Sequence, residues 1–365
     1  MKRIAIELFA GCGGLSTGLE KAGFKVVSAV EINPIAAKSY ELNHPNVKIH
    51  ISDVSSIHAV DFQKDIGDDT EIDLLAGCSP CQGFSRLRKG EEALKDPRNQ
   101  LVLQFLRLVK ELRPKTILME NVPGLIKSEQ GKEIFKQVQN TLERLEYTVS
   151  FRIVDAADYG VPQFRKRFVL LGTRLGENEI GIPDPEYGNP DNAESKKKKL
   201  QHWKTVRETI GSLPALENGG TNERYPLHRC SRNGEKNLKR IKAIPHDGGS
   251  RIDLPPELIL ECHKRYPDGY RDVYGRMSWD KPSPTITSGC TNITRGRFIH
   301  PEQDRGISLL EAAMLQTFDP DYQFFGSYEQ IALQIGNAVP VKLGETMGRR
   351  VIEYLDAVDR QSVEH

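Results

Sequence analysis

The stretch with the clearest capacity for chemistry is Leu74-Leu75-Ala76-Gly77-Cys78-Ser79-Pro80-Cys81-Gln82-Gly83-Phe84-Ser85. The apolar run from Ile72 to Ala76, with Asp73 inside it, predicts a buried strand. The run stops at Gly77, small residues follow, and Pro80 fixes the backbone just before Cys81. A thiol held at the open end of a parallel strand faces the crevice where open α/β sheets bind ligands. As a thiolate it is a nucleophile able to form a covalent intermediate. Cys78 and Cys81 could instead be half a zinc site or a redox pair. Zinc needs a second ligand pair, and Cys12, Cys230, Cys262 and Cys290 are scattered singly, so no metal is expected. A redox motif of this kind needs its own small fold, and this chain is much longer. A buried structural cysteine is the remaining alternative for Cys81.

Other strand ends carry groups that could serve the same crevice. Residues 4–9 read as a buried strand, Ala10-Gly11-Cys12-Gly13-Gly14 as a glycine turn, and Leu15 to Ala22 as a helix ended by Gly23. Strand, glycine turn and helix open a nucleotide-type binding fold, and a helix N-terminus favours anionic groups. The turn is neither the dinucleotide Gly-x-Gly-x-x-Gly nor a phosphate-binding loop with Gly-Lys-Ser/Thr. The next strand ends in Glu31, about 20 residues after the glycines, where an acid can accept from ribose hydroxyls. A third strand ends at Ser52-Asp53-Val54, and Asp53 can accept from an exocyclic amine such as that of adenine. The ligand implied is an adenosine compound that needs no phosphate clamp. A later strand, Lys115 to Met119, ends in Glu120-Asn121, a carboxylate and a carboxamide suited to reading the edge of a nucleobase. Between these strands lie predicted helices over 34–43, 99–112 and 132–145, and strands over 148–155 and 168–173 close the alternation. The charged segment 86–98 reads as a surface loop that could act as a lid.

The chain has 365 residues, 38% hydrophobic and 28% charged, enough for one large domain or two of ordinary size. No apolar run approaches the ~18 residues of a membrane span. The N-terminus runs straight into a strand with no signal-peptide core. Six cysteines without framework spacing suit a reducing cytosol, so a cytoplasmic location and no membrane partner are expected. The net charge of +1 conceals an asymmetry. Between residues 196 and 251 stand 14 Lys plus Arg against 5 Asp plus Glu, an excess of nine positive charges. A basic segment on a neutral body is the footprint of a polyanion partner. From Leu175 the helix–strand alternation fades into a loop-rich region. Order returns at Pro282-Ser283-Pro284-Thr285, in a helix over 308–317, and in a helical tail over 330–355 interrupted at Gly336-Asn337-Ala338-Val339-Pro340.

Taken in order, these motifs resemble those of the cytosine-5 DNA methyltransferases of bacterial and phage modification type. The match runs through Phe9-Ala10-Gly11-Cys12-Gly13-Gly14, Glu31, Asp53, Pro80-Cys81-Gln82, Glu120-Asn121-Val122, Gln163-x-Arg165-x-Arg167, Pro282-Ser283-Pro284-Thr285 and Gly336-Asn337-Ala338-Val339-Pro340. It covers nearly the whole chain. The resemblance implies an α/β fold: a Rossmann-like class I methyltransferase sheet with a second, smaller, loop-rich target-recognition domain. The catalytic domain would span 1–178, completed by 328–365, and the recognition domain 179–327.

By the same resemblance, Cys81 adds to carbon 6 of a cytosine flipped out of duplex DNA, and a methyl group passes from S-adenosyl-L-methionine to carbon 5, leaving S-adenosyl-L-homocysteine. Glu120 binds ring nitrogen 3 and the exocyclic amine, and must be neutral to donate a proton there. Arg165 and Arg167 hold the base and nearby backbone. The cofactor would lie against Phe9, Gly11, Gly13, Gly14 and Leu15, with Glu31, Ile32, Asp53 and Val54 along the next two strand ends. Pro80, Asn337 and Val339 would complete that site. Asn121, Gln82, Gln163, Ser85 and Thr285 are assigned to DNA, with Lys239 and Arg240 gripping phosphates in the basic segment. Cys12 and Cys78 fall at variable family positions and receive no role. The implied setting is restriction-modification, with a cognate endonuclease acting on the same site and a monomeric methylase. Two alternatives stand beside this: a tRNA cytosine-5 methyltransferase, which has a reduced recognition region, and a silent DNA-binding homologue, which would be expected to lack Cys81 or Glu120.

Overall fold

A computed structural model describes residues 3–67, 70–80, 101–189, 191–266, 269 and 271–363. Seven strands form one sheet: β1 (Ile4–Leu8), β2 (Lys25–Glu31), β3 (Lys48–Ile51), β4 (Leu74–Gly77), β5 (Thr116–Asn121), β6 (Thr148–Asp155) and β7 (Lys166–Thr173), in the spatial order β3-β2-β1-β4-β5-β7-β6. The first five run parallel. β1, β4 and β5 are almost wholly buried, as their largely apolar runs require of central parallel strands. β7 enters between β5 and β6 and runs antiparallel to both. The link from β6 to β7 holds only a short 3-10 turn, Ala156–Tyr159, and parallel pairing would need a crossover of a dozen or more residues.

Helices cover both faces. On one, α3 (Ala59–Ile66), α4 (Leu101–Leu112) and α5 (Glu129–Arg144) place Phe62, Phe105, Leu108, Val138 and Leu142 against Ile6, Leu75 and Ile117. On the other, α1 (Gly14–Ala22) packs with the long C-terminal helix (Val341–Val363), joining Leu15 and Leu19 to Leu343, Met347, Val351 and Leu355. The two backbones approach closely: a Cβ on Gly18 would lie 2.5 Å from the Val341 carbonyl oxygen. The chain's last helix therefore sits on its first. α5 begins three residues before the sequence suggests because Ser128 caps it, its Oγ accepting from the Gly131 amide at 3.0 Å. The tail divides as expected, into Tyr328–Asn337 and Val341–Val363, with Pro340 between.

The loop-rich part has two cores of its own. Val206, Ile210, Met277, Ile286, Phe298 and Leu309 pack with Cys12, Ile331 and Ile335, so this cluster reaches back to the glycine turn. Ile241, Ile244, Leu254, Tyr274, Ile293 and Ile299 form a smaller one. With so little regular structure, backbone carbonyls must find side-chain donors. Arg276, with no solvent exposure, donates to the carbonyls of Ile241, Ile244, His300 and Gln303. No helix among the described residues is long and apolar enough to cross a membrane.

Candidate active site

The parallel strands all end on one edge, and there a cavity of about 460 Å³ opens. Phe9, Gly11, Gly14, Leu15, Glu31, Ile32, Asp53, Val54, Pro80, Asn337 and Val339 all line it. Gly13 does not. A Cβ there would strike His44 Nε2 at 2.6 Å and the Tyr322 hydroxyl at 2.7 Å, so its missing side chain serves packing. Gly14 likewise makes room for the Val339 carbonyl oxygen, which lies 2.6 Å from where a Cβ would stand. Gly11 differs. It takes φ +56° with nothing within 4 Å of its own Cβ position, which leaves its backbone open to the cavity. Phe9, a non-glycine residue at φ 58°, begins the same turn.

Glu31 holds that turn in place. Its carboxylate accepts from the Gly11 amide at 2.7 Å and from the Asn33 amide at 2.7 Å. Burial raises its pKa despite these bonds. Each oxygen keeps a lone pair for a ligand hydroxyl. Asp53 accepts from the Ser55 amide at 2.8 Å and so caps the 3-10 turn Val54–Ser56 that follows β3. Ile32, which follows Glu31, is 63% exposed and lends the cavity an apolar surface.

The same cavity is lined by Glu120, near the end of β5 and 3% exposed. Arg167 Nε donates to its Oε1 at 2.8 Å. Cys78 Sγ donates to its Oε2 at 2.6 Å. Arg165 is buried beside them, and burial above all pulls its guanidinium down to about 9. It donates to the carbonyls of Ile286 at 2.8 Å, Gly336 at 3.1 Å and Ala338 at 3.0 Å. Arg165 thus ties the sheet to both the second region and the tail. Its Nε has no hydrogen-bond partner among the described residues, and the residue lines the cavity.

Several residues assigned to DNA by sequence are turned inward. Gln163 has no exposure; its amide donates to Gln316 Oε1 and the Leu315 carbonyl, and its carbonyl accepts from the Ile286 amide. Thr285 Oγ1 donates to the Phe164 carbonyl at 2.7 Å. These two stitch the loop-rich region to the sheet. Asn121 lines the cavity but directs its amide to Ser79, at 3.3 Å from the carbonyl and 3.2 Å from the hydroxyl. It braces the turn that leads to Cys81. Arg240 donates to the Leu258 carbonyl at 2.9 Å, whereas Lys239 is exposed. Cys81, Gln82, Ser85 and the charged loop 86–98 lie outside the described residues.

Two groups escape a reading of the sequence alone. Cys78 receives no role there, yet it meets Glu120. Glu7, an acid inside the apolar run of β1, lines the cavity at 2% exposure; burial pushes it up to about 8. The Ser16 hydroxyl donates to it, and Ser16 meets Tyr40 Oη at 2.7 Å. For Glu7 a signal exists in the sequence: a charged residue in an otherwise buried strand needs a reason.

The profile of the C-5 cytosine-specific DNA methylases matches residues 4–353. The type II methylase M.HgiDII of Herpetosiphon aurantiacus is 40% identical across 98% of both chains. The type II methyltransferase M1.HphI of Haemophilus parahaemolyticus is 33% identical, covering 95% of this chain and 86% of that one. Among solved structures, a putative DNA modification methyltransferase encoded within an Escherichia coli prophage superposes with a TM-score of 0.75 at 25% identity, covering 97% and 99% of the two chains. With a cavity built at the carboxyl edge of its sheet and relatives matched over nearly its full length, the chain belongs to the C-5 cytosine-specific DNA methylase family and is an S-adenosylmethionine-dependent DNA (cytosine-5-)-methyltransferase.

Proposed function

We propose that this enzyme flips a cytosine out of duplex DNA within a specific short sequence and methylates it through covalent attack by Cys81. The observation that carries the reading is the shared cavity. Glu120, clamped by Arg167, stands in the same 460 Å³ space as Glu31, Asp53 and the open backbone of Gly11. A nucleobase site and an adenosine site are thereby contiguous. Glu31 would take the ribose hydroxyls, Asp53 the adenine amine, and Ile32 a face of the ring. S-adenosylmethionine supplies an electrophilic methyl group there.

Carbon 5 of cytosine is not nucleophilic on its own. Addition of the Cys81 thiolate to carbon 6 shifts the ring electrons onto carbon 5 and nitrogen 3. Glu120 donates a proton to nitrogen 3, and Arg167 keeps its carboxyl aimed. Carbon 5 then takes the methyl group, a base removes the carbon 5 proton, and the thiolate leaves as the ring recovers its double bond and nitrogen 3 returns its proton to Glu120. Flipping the base costs a few kcal/mol, which contacts to the surrounding DNA must offset. Residues 179–327 would supply these contacts as a recognition domain, and residues 1–178 with 328–365 would form the catalytic domain. The enzyme would act as a monomer in the cytoplasm, beside a restriction endonuclease of the same specificity.

Tritiated methyl transfer to duplex DNA and to tRNA tests this reading. Incorporation into DNA, mapped to cytosine by bisulfite sequencing, is the expected result. Incorporation into tRNA alone, or into neither, overturns it.

A further inference from the structure

We propose that Cys78 is a positioning residue for Glu120, holding the carboxyl oxygen that Arg167 does not. The inference rests on the reading of Glu120 as the group that protonates the target base. Glu120 carries two oxygens and the protein addresses each differently. Oε1 faces Arg167 Nε at 2.8 Å, and Oε2 faces Cys78 Sγ at 2.6 Å. A carboxyl group held at one oxygen can still swing about its last torsion, a broad and roughly two-fold rotor. Held at both, its plane is fixed. Each oxygen has two lone-pair sites, so Oε2 can meet the thiol and a base together.

The position of Cys78 makes this contact specific to the turn. It follows directly on β4, whose Gly77 pairs with Met119 of β5, one residue before Glu120. Asn121, the residue after Glu120, holds Ser79 on the other side. The β5 end and the turn preceding Cys81 are thus joined by two side-chain contacts, Cys78 to Glu120 and Asn121 to Ser79. The pair sets Glu120 and the turn Cys78-Ser79-Pro80 in one frame. Serine is the conservative replacement, because a hydroxyl donates as a thiol does; alanine removes the donor.

The test uses the full-length enzyme, with kcat and KM measured for duplex DNA and S-adenosylmethionine. Cys78→Ala should lower kcat on the order of ten-fold, the effect expected when one hydrogen bond that positions a buried carboxyl disappears, with KM for both substrates little changed. Cys78→Ser should restore most of that activity. In a Glu120→Gln background, Cys78→Ala should cost little further, since coupled residues are not additive. Thermal unfolding and calorimetric S-adenosylmethionine binding identify any variant that has merely failed to fold; Cys78→Ser and the cycle then carry the test. Wild-type kcat in Cys78→Ala, equal impairment of alanine and serine, or full additivity with Glu120→Gln overturns the inference. Absence of methyl transfer to DNA by the wild type would instead defeat the reading beneath it, so the two failures are distinguishable.

Discussion

At the scale of residues, the cavity separates groups that perform chemistry from groups that hold them. Cys81→Ser is expected to abolish methyl transfer while preserving DNA and cofactor binding, because a hydroxyl of ordinary acidity cannot replace a thiolate. A rate above a small fraction of the wild-type value would remove Cys81 from the nucleophile's place. Glu31→Ala should weaken S-adenosylmethionine binding in calorimetric titration, since it takes away both the proposed acceptor for the ribose hydroxyls and the brace on the Gly11 amide. Unchanged affinity would show that the adenosine lies elsewhere. Glu7 makes a pH prediction. Burial lifts it from 4.5 to about 8, against the Ser16 hydroxyl that favours the charged form, with Glu31 and Glu20 adding repulsion. The folded chain therefore binds this proton more tightly than the unfolded chain, and stability falls as pH rises from 4.5 towards about 8. Glu7→Gln removes that contribution. Its Tm, measured against the wild type, should rise across this window and hold a constant difference above it; a difference independent of pH would mean that folding leaves the proton affinity of Glu7 unchanged.

At the scale of elements, the strands that build the site were legible because their signal is local. Apolar runs ending in Glu31, Asp53, Pro80 and Glu120 require only a buried parallel sheet to bring those ends together. The place of β7 was not legible, since antiparallel insertion between β5 and β6 depends on partners distant in sequence. Gln163 misled for a related reason: its motif marks a joint between regions, and whether a carboxamide faces DNA or a neighbouring backbone is decided by tertiary contacts. The tail's return was implied by family likeness, and the structure supplies its physical cause in the packing of Val341–Val363 on α1. That contact is testable at Gly18. In an ordinary helix interior, Gly→Ala stabilises by about 0.5–1 kcal/mol. Here a Cβ would stand 2.5 Å from the Val341 oxygen and 2.6 Å from the Glu345 nitrogen, both backbone atoms. Gly18→Ala should therefore destabilise by roughly 1–3 kcal/mol, the range for overpacking, read as a lowered Tm. A raised Tm would show that the two helices do not meet so closely.

At the scale of the whole molecule, function depends on bringing a stiff polyanion to a cavity whose own lining carries several carboxylates. Glu7, Glu31, Asp53 and Glu120 border that space and outnumber Arg165 and Arg167, so the lining offers no net attraction and the pull on DNA must come from elsewhere. The excess of nine positive charges between residues 196 and 251 is the natural source. The helix Glu235–Ala243 concentrates it, with Lys236, Lys239 and Lys242 exposed and Ile241 buried beneath. Arg240 stands apart, because it donates to the Leu258 carbonyl and to Asn237 Oδ1 and so holds the local fold. Replacing Arg240 would confuse removal of charge with damage to the fold. The better variant neutralises Lys236, Lys239 and Lys242 to glutamine. Each lysine–phosphate pair removed should lower the slope of log affinity against log salt by ~0.9, up to ~2.7 for all three. Phosphate contacts carry no sequence information, so bisulfite mapping should find the same site methylated while activity at high salt declines. If these lysines only solvate a surface, the triple variant keeps the wild-type salt slope. Affinity measured for one duplex at several salt concentrations decides the matter, and a second duplex without the methylation site should show the same change in slope, since the charge acts on the backbone common to both.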